Sequence, residues 1–321
     1  MTSDLKAALR EALEGLGLPF RAQMQQVDFT ETVSITIVCK FCGSDAVIRY
    51  GTKEGVQQYW CYRCKRKFSA TPALPGMRYP PGQIAAALNA FYEGQSLRAV
   101  QRQLDTTYGV MPSDSTVYYW VKRFTEKAID VAQELRVHAG SVWMADETVL
   151  NMDGKNVWFW DCIDDKTRFL LASRLSITRG TQDAKALMEQ ALRVAGHSPE
   201  IILTDKLAAY LDGIELVFGA DVEHIRSKGF KIHPNTNLIE RFHGTIKQRT
   251  KVMRGMQNIE TAKIIMGGWL VHYNFFRPHE GLDGKTPGEV AQAGFPYKGW
   301  NDVVSEGYIP TERREVRRGQ V

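Results

Sequence analysis

Three carboxylates in this chain are placed so that they could hold divalent metal ions together. Asp146 and Asp205 belong to apolar runs that predict strands, and Glu240 lies in a segment with helical patterning. Two strands and a helix of this kind can bring all three acids to one end of a sheet. Carboxylates are the ligands that Mg²⁺ prefers, and a pair of such ions can assist the cleavage of a phosphodiester. The three residues are therefore our candidate catalytic and metal-binding set.

The spacing and surroundings of these acids form recognisable motifs. Between Asp205 and Glu240 lie 34 residues, and Lys247 follows Glu240 after two helical turns. The sequence reads Asn-Leu-Ile-Glu-Arg-Phe-His-Gly-Thr-Ile-Lys over 237–247 and Tyr-Asn-Phe-Phe-Arg-Pro-His-Glu-Gly-Leu over 273–282. Together the motifs resemble the catalytic core of the DDE transposases of insertion sequences and of retroviral integrases, over about half of the chain.

This resemblance implies an activity and a role for each acid. Asp146 would bridge two Mg²⁺ or Mn²⁺ ions in the active site, while Asp205 and Glu240 would each complete one coordination sphere. Lys247 and Arg241 would hold DNA phosphate near the metals. The protein would be a DDE transposase that cuts at the ends of its insertion sequence and joins the resulting 3′-hydroxyls to target DNA.

The order of predicted elements indicates the fold class. Three consecutive strands are followed by a helix, a further strand and another helix, a pattern typical of an α/β, ribonuclease H-like mixed sheet. We predict such a catalytic domain over 140–295. The strands are expected at Val142 to Leu150, Asn156 to Ile163, Arg168 to Leu175 and Ile201 to Thr204, and the helices at Thr181 to Ala195 and from about Asn235.

Other side chains near these motifs have simpler explanations. Glu147 is expected to face away from Asp146, because neighbouring side chains of a strand alternate. Asp161 lies near a predicted turn, where aspartate is common for backbone reasons. His243 follows Glu240 by one helical turn, so it is a candidate DNA contact at the scissile phosphate or a helix-packing residue. These two alternatives stay open.

Two Cys-x-x-Cys pairs near the N-terminus predict a metal site. Cys39 and Cys42 form the first pair, Cys61 and Cys64 form the second, and 18 residues separate the pairs. Four thiolates offered in this way suit one tetrahedral, structural Zn²⁺. A redox dithiol or four unrelated cysteines is the alternative. We predict a small zinc ribbon over 31–72.

A helical region follows the prolines of residues 72–81. Three short helices, at about 83–93, 97–104 and 113–127, suit an all-α helix-turn-helix DNA-binding domain over 78–135, although three such helices are more often a packing bundle. A packing bundle without a DNA role is the alternative. Similar zinc-ribbon and helix-turn-helix segments precede the catalytic domain in some insertion-sequence transposases, which implies recognition of terminal inverted repeats. The candidate DNA-binding residues of the last helix are Ser115, Thr116, Tyr119, Lys122 and Arg123.

The composition fits a nucleic-acid partner. Lys and Arg number 41 against 36 Asp and Glu, a net charge of +5 at pH 7, and the basic residues are clustered. Such clusters fit a polyanionic partner, although solvated surface is the more common explanation of any single cluster, and the resemblance implies double-stranded DNA as the partner. No apolar run is long enough to span a membrane, and 1–30 is expected to be an amphipathic helix and linker, not a signal peptide. We therefore expect a cytoplasmic, nucleoid-associated, prokaryotic protein with a basic C-terminal tail over 296–321.

Two other functions remain open at the level of sequence. One is a sequence-specific DNA-binding regulator derived from a transposase, and the other is a ribonuclease H-like nuclease without strand transfer. The complete carboxylate set argues against the regulator. Because a transposase must handle two element ends together, we also expect a homodimer or a higher assembly on DNA.

Overall fold

The computed structural model describes Glu11 and residues 29–152, 154–226, 237–252 and 258–320. The amphipathic helix expected within 1–30 lies almost wholly outside the described residues. The chain divides into two compact units, one formed by Met1–Thr71 with Ile309–Val321 and the other by Pro72–Tyr308. In the described part of the chain, no helix is both long and apolar enough to cross a membrane.

Groups of strands and groups of helices follow one another along the chain. The described strands are β1 (Phe29–Ile37), β2 (Val47–Lys53), β3 (Val56–Cys61), β4 (Lys67–Ser69), β5 (Val142–Met152), β6 (Lys155–Asp164), β7 (Leu170–Ser176), β8 (Ile201–Thr204), β9 (Glu223–Arg226) and β10 (Glu312–Gln320). The described α-helices are α1 (Pro81–Tyr92), α2 (Leu97–Tyr108), α3 (Asp114–Gln133), α4 (Thr181–Ala195), α5 (Ala208–Phe218), α6 (Asn237–Val252), α7 (Ile259–Val271), α8 (Pro287–Val290) and α9 (Trp300–Ser305). A single π-helical turn, His272–Phe276, follows α7 directly.

The first unit contains two small antiparallel sheets. Strands β2, β3 and β4 form one sheet, and β1 pairs with β10 in the other. Beside the three-stranded sheet, Cys39, Cys61 and Phe68 form a small core of buried side chains within the described residues. So small a core needs additional support, and the four cysteines are placed to give it.

The segment 296–321 is not a tail in the part that the structure describes. Its first half contains α9, in which Trp300, Val303 and Val304 are buried at helical spacing. Its second half contains β10, which pairs along its whole length with β1. The expectation of a tail fails because a distant strand supplies the hydrogen-bonding partners that the local sequence does not reveal.

The second unit is built around a five-stranded sheet with the strand order β7-β6-β5-β8-β9. Strands β5, β6 and β7 form an antiparallel meander, whereas β8 runs parallel to β5 and β9 runs parallel to β8. Helix α4 connects β7 to β8, and α5 connects β8 to β9. This order and these directions confirm the predicted α/β, ribonuclease H-like mixed sheet. The bounds of α4 and β8 are those expected from the sequence.

The helices α1 to α3 belong to the same compact unit as the sheet. Ser96 and Ser113 cap α2 and α3, each accepting a hydrogen bond from a backbone N–H three residues later at 3.2 Å. In the interior, Tyr92 and Thr125 hydroxyls lie 2.6 Å apart, beside Gly268 of α7. A Cβ at Gly268 would collide with the Tyr92 hydroxyl, so the close approach of these helices requires glycine there.

Replacement of Gly268 should test this packing. We expect Gly268→Ala to lower the free energy of unfolding by about 1–3 kcal/mol, because the added methyl has no space in the core. Gly82→Ala in α1 is the matched control, since a Cβ there meets nothing within 4 Å. Chemical denaturation measures both changes, and equal stability of the two variants would contradict the packing described.

Candidate active site and metal centres

Asp146 and Asp205 lie together because β5 and β8 are parallel neighbours in the sheet. Met144 pairs with Leu203 in this ladder, and each aspartate comes two residues later on its own segment. Side chains two residues apart share a face of a strand, so both aspartates continue the same face. One carboxylate oxygen from each of Asp146, Glu147 and Asp205 lies within 4.8 Å of the others. Oxygen ligands at these distances could hold a divalent cation.

The position of Glu147 corrects the expectation that it faces away from the other acids. Its side chain is one methylene longer than that of aspartate, and one of its oxygens reaches the Asp146 and Asp205 cluster. The Glu147 carboxylate also forms a close ion pair with Arg179. The Arg179 guanidinium in turn lies over the Trp158 ring, 4.3 Å from its centroid. Arg179 thus places a positive charge at the edge of the acid cluster.

Helix α6 carries Glu240 past the strand that holds Asp146. Glu240 lies three residues before His243 on this helix, and its side chain is outside the part of the chain that the structure describes. The His243 ring lies 3.6 Å from the Asp146 carboxylate, measured from Nδ1 to Oδ2, so the side of α6 that bears His243 is turned towards β5. The helix is held there by an apolar stripe of buried side chains, namely Ile239, Phe242 and Ile246.

Asp161 and His243 occupy positions that the sequence did not predict. Asp161 is not at a turn: it lies within β6, directly opposite Asp146, and is completely buried. His243 is also buried, and its Nε2 lies 2.6 Å from the Asp161 carboxylate. Because this ring lies in the interior between two carboxylates, His243 does not present its side chain to DNA. The hairpin register between β5 and β6 is what brings the two aspartates together.

Burial controls the electrostatics of these groups. Burial raises the pKa of Asp146 to about 7; the positive charge of His243 opposes this rise and the nearby charge of Asp161 adds to it. Burial alone would lower the pKa of His243, but the charge of Asp161 and its hydrogen bond raise it above the ordinary value. Burial therefore disfavours the ionised form of Asp146, and a perturbed pKa of this kind is common at functional sites.

The other predicted DNA contacts lie on two helices. Arg241 and Lys247 are exposed on α6, the helix that includes Glu240. On α3, Arg123 donates a hydrogen bond to the Tyr119 hydroxyl at 2.7 Å. Thr116 is half-buried, while four of the predicted α3 residues are exposed: Ser115, Tyr119, Lys122 and Arg123.

The four paired cysteines form a second cluster that could hold a metal ion. Their Sγ atoms all lie within 4.8 Å of one another, with Cys39 and Cys64 at 3.6 Å and Cys42 and Cys61 also at 3.6 Å. A tetrahedral ion with bonds of about 2.3 Å to sulfur would hold its ligands about 3.8 Å apart. All four residues are free cysteines. The geometry therefore fits one four-coordinate ion with no open position.

Comparison with known proteins was made for families, for sequences and for solved structures. Residues 140–279 match the family model of a DDE domain, and the match includes Asp146, Asp205 and Glu240. No curated protein is significantly similar to the chain in sequence.

The similar solved structures include retroviral integrases. The HTLV-2 integrase catalytic core domain in complex with magnesium, in its trimeric form, is 19% identical, with a TM-score of 0.39 and coverage of 49% of this chain and 99% of that chain. The catalytic core domain of BIV integrase is 13% identical, with a TM-score of 0.36 and coverage of 49% and 96%. The simian T-cell lymphotropic virus intasome in complex with the PP2A regulatory subunit B56 gamma is 13% identical, with a TM-score of 0.38 and coverage of 64% and 74%.

The family match and the acid cluster on a ribonuclease H-like sheet agree with each other. Residues 140–279 of this chain are therefore a DDE domain, and its cluster of acids could form a catalytic site.

Proposed function

We propose that this chain is a transposase that binds the terminal inverted repeats of an insertion sequence and catalyses metal-dependent DNA cleavage and strand transfer into target DNA. The observation that carries the proposal is the convergence of Asp146 and Asp205 on adjacent parallel segments, inside a DDE domain. Helix α6, which includes Glu240, passes Asp146 closely enough for its His243 ring to lie 3.6 Å from that carboxylate, and this supports Glu240 as the third acid.

Asp146, Asp205 and Glu240 would hold two Mg²⁺ or Mn²⁺ ions. Their hard oxygen donors fit such ions, and a bound cation would favour the ionised form of Asp146 that burial disfavours. When bound, two ions of this kind activate the attacking oxygen and stabilise the leaving oxygen of a phosphodiester. Glu147 is already paired with Arg179, so we assign it to charge balance and not to the catalytic set.

The exposed basic residues would bind and orient the DNA. Arg241 and Lys247 extend from the helix that carries Glu240, so they can hold phosphates close to the acids. The exposed polar and basic side chains of α3 suit bases and phosphates of the element ends, as in a helix-turn-helix. No protein nucleophile is required, because a water or a 3′-hydroxyl attacks phosphorus directly.

The cysteine cluster would hold one structural Zn²⁺. Four thiolates leave no open position for substrate, so this ion would stabilise the small sheet β2-β3-β4 and its minimal core.

The partners follow from the reaction. Double-stranded DNA would serve both as element end and as target, and a homodimer or a higher assembly would hold two ends at once. The simian T-cell lymphotropic virus relative is itself described as an intasome. An enzyme that acts on chromosomal DNA in this way would work in the prokaryotic cytoplasm, at the nucleoid.

Substitution of the acids tests the catalytic assignment. In a strand-transfer assay with labelled element ends and Mg²⁺ or Mn²⁺, we expect Asp146→Asn, Asp205→Asn and Glu240→Gln to reduce joined products to background. Asp221→Asn is the matched control, because it removes an exposed acid outside the cluster. Retained binding of the element ends by all four variants would show that they fold.

Two results of the same assay would contradict the proposal. Tight binding of the ends by the unchanged chain without any joining, under either metal, would favour the DNA-binding regulator. Cleavage without joining would favour the nuclease.

Proton competition at Asp146 should make metal binding depend on pH. In the cation-free protein its pKa is about 7, so the carboxyl is largely protonated at pH 6 and largely ionised at pH 8. A cation needs the ionised form, and we expect the association constant for Mn²⁺ to rise about tenfold between these pH values. Calorimetric titration measures it, and an affinity that stays constant over this range would contradict the raised pKa.

Metal analysis tests the cysteine cluster. We expect about one Zn²⁺ per purified chain, and its removal by a chelator should unfold the first unit, because the core there is minimal. Cys61→Ser should lower the zinc content, whereas Cys162→Ser, which alters a buried cysteine of β6 outside the cluster, should not. A zinc-free chain with an intact first unit would rule out this structural role.

A further inference from the structure

Behind the acid cluster lies a buried pair, Asp161 and His243, that the proposed reaction does not use. Asp161 is completely buried in the middle strand of the meander, between β5 and β7. Its Oδ1 lies 2.6 Å from His243 Nε2, and its Oδ2 has no hydrogen-bond partner within the described chain. Burial of a carboxylate without a partner costs free energy of folding. The hydrogen bond to His243 offsets this cost for Asp161.

The second nitrogen of the same ring faces the candidate metal ligand. His243 Nδ1 lies 3.6 Å from Asp146 Oδ2, a distance too long for a strong hydrogen bond but within ion-pair range. The imidazole therefore lies between two carboxylates that are direct partners across the β5–β6 ladder. Asp146 and Asp161 would otherwise repel each other at this position, because like charges directly opposite on neighbouring strands are destabilising.

Exposure separates the roles of the two aspartates. The side chain of Asp146 is 19% exposed and can reach a cation, whereas that of Asp161 is 0% exposed and cannot. Asp161 is also not among the acids whose oxygens cluster with Asp205. Asp161 therefore cannot bind the cation itself, and its hydrogen bond to the His243 ring is its link to the Asp146 carboxylate.

We propose that Asp161 and His243 form a positioning pair that fixes the orientation of the Asp146 carboxylate for binding of a divalent cation. Asp161 holds the ring through Nε2, and the ring holds Asp146 through Nδ1, so both must be present for the effect. The role is that of hydrogen-bonded groups behind a ligand, which set its direction without touching the metal. The inference rests on the proposed metal-dependent function of the same site.

Titration of the full chain with Mn²⁺ tests the pair. The electron paramagnetic resonance signal of free Mn²⁺ gives the binding affinity. We expect His243→Ala and Asp161→Ala each to weaken Mn²⁺ binding by about 10–100-fold. The double variant should be no weaker than the worse single variant, because the two residues act as one unit. His243→Asn should recover part of the affinity, since its amide nitrogen can approach the place of Nδ1.

A second buried histidine supplies the matched control. His272 is also buried, and its Nε2 lies 3.1 Å from the Glu93 carboxylate, in the packing of α1, α7 and α9 away from the acid cluster. His272→Ala should lower stability in thermal unfolding but leave Mn²⁺ affinity within about twofold of the unchanged chain. Where an alanine variant of the pair does not fold, Asp161→Asn and His243→Leu, which removes both ring nitrogens, are measured by the same criterion.

The outcomes separate this inference from the proposed function. The positioning role would be overturned if folded variants of Asp161 and His243 bound Mn²⁺ with an affinity within about twofold of the unchanged chain. In that case Asp146→Asn would still abolish binding, so the proposed metal site would stand. An unchanged chain that binds no Mn²⁺ at this cluster would overturn both the positioning role and the metal-dependent function.

Discussion

Crowding of negative charge around β5 is the constraint on which the rest of the site depends. Three carboxylate oxygens lie within 4.8 Å of one another, and a fourth acid is buried on the neighbouring strand. At such a distance two unit charges repel by about 3 kcal/mol for an effective dielectric constant of about 20. Glu147 is balanced by Arg179, and Asp161 is balanced by His243. Asp146 and Asp205 remain, and they are the pair whose charge a cation would balance.

The sheet and one helix explain how these acids come together. The parallel β5–β8 ladder places Asp146 and Asp205 at equivalent positions on adjacent segments, and the antiparallel β5–β6 ladder places Asp161 opposite Asp146. Helix α6 then brings a histidine, and the backbone of the third acid, across the same strand. The helices α1 to α3 share the hydrophobic core of this unit, so the proposed DNA-reading helix and the acids belong to one compact body.

Much of the fold could be predicted from the sequence because it depends on local patterns. Apolar runs marked the strands, and paired cysteines marked the small cluster in the first unit. The pairing of β1 with β10 could not be predicted, because nothing in either segment specifies a partner almost 300 residues away. The Glu147–Arg179 ion pair was missed for the same reason, since it joins residues on different elements.

One missed feature did have a signal in the sequence. Asp153-Gly154 is a dipeptide typical of two-residue hairpin turns, and such a turn pairs Met152 with Lys155. Counting back along both strands from that turn places Asp146 opposite Asp161. An aspartate inside the apolar run Trp-Phe-Trp-Asp-Cys-Ile was therefore a partner of the catalytic strand and not a turn residue.

The most direct test of the account is a crystal structure of the chain with an element end and Mn²⁺, with anomalous scattering used to locate the metal. We expect anomalous peaks within about 2.0–2.3 Å of carboxylate oxygens of Asp146 and Asp205, with Glu240 completing the site. Asp161 should remain hydrogen-bonded to His243 without touching a peak. An acid cluster without any metal peak, with ordered DNA in place, would contradict the central claim that these carboxylates form a cation-dependent catalytic site.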